Sequence, residues 1–103
     1  MNALKSLVNE LGSVHSVDGF LTKLTTFVLR LEDLFGEHRS ARRVFEKVLA
    51  CEELELFLRV LAGYRDVVEV MVFRDLRLKP LRSYADILLE TLNSIESTEE
   101  TFP

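Results

Sequence analysis

A chain of 103 residues, 48% apolar and with a net charge of −4, is the size of one domain and too apolar to stay disordered. No uncharged run approaches the ~20 residues of a membrane span. Lys23, Arg30, Glu32 and Asp33 interrupt the best candidate, and the start, MNALKSLVNE, lacks the apolar stretch of a secretion signal. The single cysteine, Cys51, excludes an internal disulfide framework and suits a reducing compartment, so a cytoplasmic protein is expected.

The first segment, NALKSLVNELGSV, places Leu4, Leu7, Val8, Leu11 and Val14 at helical spacing, with Asn2 able to cap its start. HSVDG then reads as a turn, with Ser16 or Asp18 available as the next cap. The second segment, FLTKLTTFVLRLEDLF, holds nine apolar residues in sixteen. Phe20, Leu24, Phe27, Leu31 and Leu34 step 4-3-4-3, and Leu21, Val28 and Phe35 form a stripe beside them. Val17 falls on the same arc, and only Leu29 lies opposite. One neighbouring helix needs only a narrow stripe, so two stripes predict a central helix with at least two neighbours. Gly36 suits a left-handed helix end.

In SARRVFEKVLACEELELFLRVLAG, Ala41, Val44, Phe45, Val48 and Leu49 share one face, whereas Leu54, Phe57, Leu58 and Leu61 fall on another. The shift predicts a break near Cys51–Glu53, with Gly63 closing the second piece. DVVEVMVFRDLRLKP reads two ways. Asp66 with Glu69 is a helix start signal, but Val68, Val70 and Val72 alternate as in a strand, with Leu76 and Leu78 as the return. The helix is preferred because the RD turn lacks the residues of a tight hairpin. The last segment, PLRSYADILLETLNSIE, is an amphipathic helix with Leu81, Tyr84, Ala85, Leu88, Leu89, Leu92 and Ile95 on one face. Pro80 suits its first turn, and Ser83 with Asp86 has the spacing of a capping box. The expected architecture is all-α, a small bundle of about five helices over 1–96, followed by an acidic tail, 97–103. The alternative is α+β, with a β-hairpin at 67–79 in a winged-helix-like arrangement.

No constellation carries a reaction. His15, His38 and Cys51 are the only soft ligands, and none has metal-pair spacing. Glu52, Glu53 and Glu55 read as a solvated helix surface. Cys51 lacks a nucleophile's partners and reads as a small core residue. The four glycines, at 12, 19, 36 and 63, form no phosphate loop. Neither enzyme activity, cofactor nor metal is expected. Few amides and nine Arg to four Lys fit either a thermophile or a GC-rich genome.

LVNELGSVHSVDGFLTKL resembles a helix-turn-helix in outline. It departs from that pattern at Ser13 and Asp18, where apolar residues belong, and its second helix is too apolar to be a groove reader. A hairpin at 67–79 would restore the idea in winged-helix form, with the helix of residues 40–50 as reader.

Two surfaces remain. Net charge alternates along the chain, with +2 over 37–51, +2 over 67–82 and −5 over 83–103. The basic residues are Arg39, Arg42, Arg43 and Lys47, then Arg74, Arg77, Lys79 and Arg82. Arg39, Arg43 and Lys47 step by four and would form a ridge able to grip phosphates or an acidic surface. Leu29, Leu56, Val60 and Ile87 lie off the main apolar faces, and Phe102 could anchor an acidic tail in a partner's groove. The apolar surplus points to a non-enzymatic helical protein–protein interaction module, a homodimer or a small accessory subunit of a larger complex. The alternative is a small nucleic-acid-binding regulator, possessing the Arg39/Arg42/Arg43/Lys47 ridge as its contact.

Overall fold

The computed structural model describes the backbone of residues 2–73 and 79–101 and the side chains of 3–73 and 81–95. Among the described residues six helices follow one another: α1 (Asn2–Leu11), α2 (Val17–Phe35), α3 (Ala41–Leu49), α4 (Leu54–Gly63), α5 (Arg65–Phe73) and α6 (Lys79–Thr101). The all-α reading holds, with one helix more than the five expected. The hairpin reading of 67–79 is corrected through Phe73, which closes α5. Leu76 and Leu78 lie outside the described residues.

Of the two caps offered for α2, Ser16 is the one used. Its Oγ accepts the Gly19 N–H at 3.0 Å, while Asp18 sits in the first turn, where negative charge suits the helix dipole. Ser16→Ala is expected to cost about 1 kcal/mol, read as a lower urea midpoint at unchanged slope. The other end of α2 differs from expectation. Gly36 has φ −90°, not a left-handed value. A Cβ there would lie 2.7 Å from the Glu32 carbonyl oxygen, so glycine is required by close approach. The left-handed residue is His38, with φ 59°.

The predicted break is present. α3 ends at Leu49, the Cys51 N–H donates to the Val48 carbonyl, and α4 starts at Leu54. This turn reorients the chain, so Val44, Phe45 and Val48 of α3 and Phe57 and Leu61 of α4 enter one core despite lying on different faces of a continuous helix. Only Tyr64 separates α4 from α5. Its ring stacks on Phe20, with centroids 4.4 Å apart. Asp66 and Glu69 do not form the expected cap, because α5 already begins at Arg65. Glu69 instead accepts from Arg65 Nε at 2.8 Å.

Pro80 falls in the first turn of α6, as its fixed φ favours. Ser83 and Asp86 lie inside the helix, so their capping-box reading is corrected. α6 continues to Thr101, through most of the stretch read as a tail, while Phe102 and Pro103 lie outside the described residues.

α2 and α6 are central. α2 packs on α1, α3 and α6, and α6 packs on α2, α3, α4 and α5. This satisfies the two-stripe argument for α2, whose Phe20, Leu24, Phe27, Val28 and Leu31 are buried. The ends of that arc are not covered: Val17 is 50% exposed and Leu34 40%. Phe27, Phe57 and Phe45 link α2, α4 and α3 through ring contacts of 5.3 and 5.7 Å. Tyr84 of α6 enters the same core, with its hydroxyl buried and under the influence of Glu32 of α2.

Candidate interaction surface

The fold absorbs most of the apolar surplus seen in the sequence. Ile87 is buried, lining the α3–α6 groove beside Phe45 and Leu49. Leu56 and Val60 are half-buried against the core. All three are more covered than their positions off the main faces suggest, because α3 packs on the flank of α6 and the break at Cys51 reorients α4. Leu29 alone of the four stays exposed, on the outer side of α2.

What is left over gathers most clearly on α5. Val68 and Met71 are buried, and Arg65 Nη2 donates to Asn93 Oδ1 at 2.8 Å. The opposite face carries Asp66, Val70 and Phe73 at 4-3 spacing, which keeps them in line on a helix. Val70 is 43% exposed and Phe73 is 77% exposed. Periodicity did not single these two out, because apolar residues surround the axis of this segment. Only the position of α6 decides which of them remain outside.

The basic cluster is shorter than its spacing suggested. Arg39 precedes α3, and Ser40 caps the helix by accepting from the Arg43 N–H. The ridge on α3 is therefore Arg43 and Lys47. Arg42 turns to α6 and binds Glu90 at 2.9 Å, Arg43 lies 3.9 Å from Glu46, and the Lys47 ammonium sits 5.8 Å from the Phe35 ring centre. These cations are partly screened by their own carboxylates, and such exposed pairs contribute little to stability. Arg82 is exposed near the start of α6. Arg74 and Arg77 lie outside the described residues, as does the side chain of Lys79.

Cys51 is half-buried in a cleft of about 310 Å³ lined by Leu4, Phe35, Lys47, Ala50, Glu52 and Glu53. Burial pushes its thiol pKa up, more than the backbone hydrogen bond at Glu53 lowers it, which works against a reactive thiolate. Among the described residues, no group of three or more His, Cys, Asp or Glu side chains could hold a metal ion. No helix among them is long and apolar enough to cross a membrane. The chain matches no protein-family model, no curated protein and no solved structure.

Proposed function

We propose that this chain is a non-enzymatic helical module that binds another protein through the outer face of α5, as a homodimer or as a small accessory subunit. The observation that carries this reading is Phe73, an aromatic ring 77% exposed with Val70 one turn earlier on the same face. Single exposed aliphatic side chains are ordinary, but a projecting aromatic beside a second apolar group has the character of an interface anchor. A single free cysteine, with no second one to pair with, favours placing the module in the cytoplasm.

The test is a Phe73→Asp variant that keeps its helical circular dichroism. It is expected to lose whatever association the wild type shows, whether self-association in light scattering or capture of a host protein. Retention of the same partners by the variant sinks the reading.

A second reading, a small nucleic-acid-binding regulator, is favoured by Arg39, which is exposed and has no ion pair among the described residues. With Arg43 and Lys47 it would contact phosphates. Binding would weaken steeply with salt, and Arg39→Ala with Arg43→Ala would reduce the salt slope by about 2. No duplex binding at low salt eliminates it.

A further inference from the structure

We draw no further inference here: the strongest candidate, the apolar patch of Val70 and Phe73 on the outer face of α5, belongs to the surface already described, and nothing in the structure shows what covers it.

Discussion

Phe57→Ala is expected to destabilise the fold by about 3–5 kcal/mol. A domain of this size has a total stability of roughly 5–15 kcal/mol, so the variant should be largely unfolded or close to it. The size of the effect follows from position. Phe57 is fully buried, and its ring meets Phe27 of α2 and Phe45 of α3 at once. It joins the pieces on either side of the break at Cys51 to the central helix, so truncation removes ring–ring contact and leaves a cavity that three helices border. Urea denaturation followed by circular dichroism measures the loss. Phe73→Ala is the matched control, with the same chemistry on an exposed ring and an expected change within about 0.5 kcal/mol. Equal losses at the two positions would contradict the core assignment.

Tyr84 carries the second large effect, and it depends on pH. Burial, with the negative charge of Glu32 adding to it, pushes the phenol up to about 12. In the unfolded chain a tyrosine ionises near 10. Between these values the unfolded state has released the proton and the folded state still holds it, so stability falls as pH rises. The contribution is fully present below about pH 10, and up to about 2–3 kcal/mol is lost by about pH 12. Lysines and arginines elsewhere also titrate in this window, so the quantity to follow is the difference between wild type and Tyr84→Phe. That difference should be flat at neutral pH and grow against the wild type above about pH 10. A difference that stays unchanged through this window would contradict the buried, raised phenol.

Several elements could be read from the sequence because their signals are local. The 4-3-4-3 stripe from Phe20 to Leu34 with its companion stripe fixed α2 as a central helix, and Ser16 was one of two caps available to it. The change of apolar face between Val48 and Phe57 located the break, since a straight helix cannot turn both faces inward. Pro80 marked the first turn of α6. Segment 65–73 could not be read this way: its valines suit a strand, and its apolar residues encircle a helix, so neither period prevails. In the fold it is a helix that packs against α6 and buries Val68 and Met71.

The candidate surface was legible only in part. Sequence alone determined that the chain is mainly helical, with more apolar side chains than one face per helix can use. Tertiary structure decided where the surplus goes. Ile87, Leu56 and Val60 each lie off their own helix's main face, yet Ile87 is buried and the other two are half-buried, because a helix flank is covered when a second neighbour packs there. Val70 and Phe73 are left outside because, among the described residues, no helix covers the far side of α5. Likewise Arg39 matches Arg43 and Lys47 in spacing, but the cap at Ser40 ends the helix before reaching it. Periodicity records which residues share a direction from one axis, while burial depends on how many neighbours surround that axis, which only the packed helices establish.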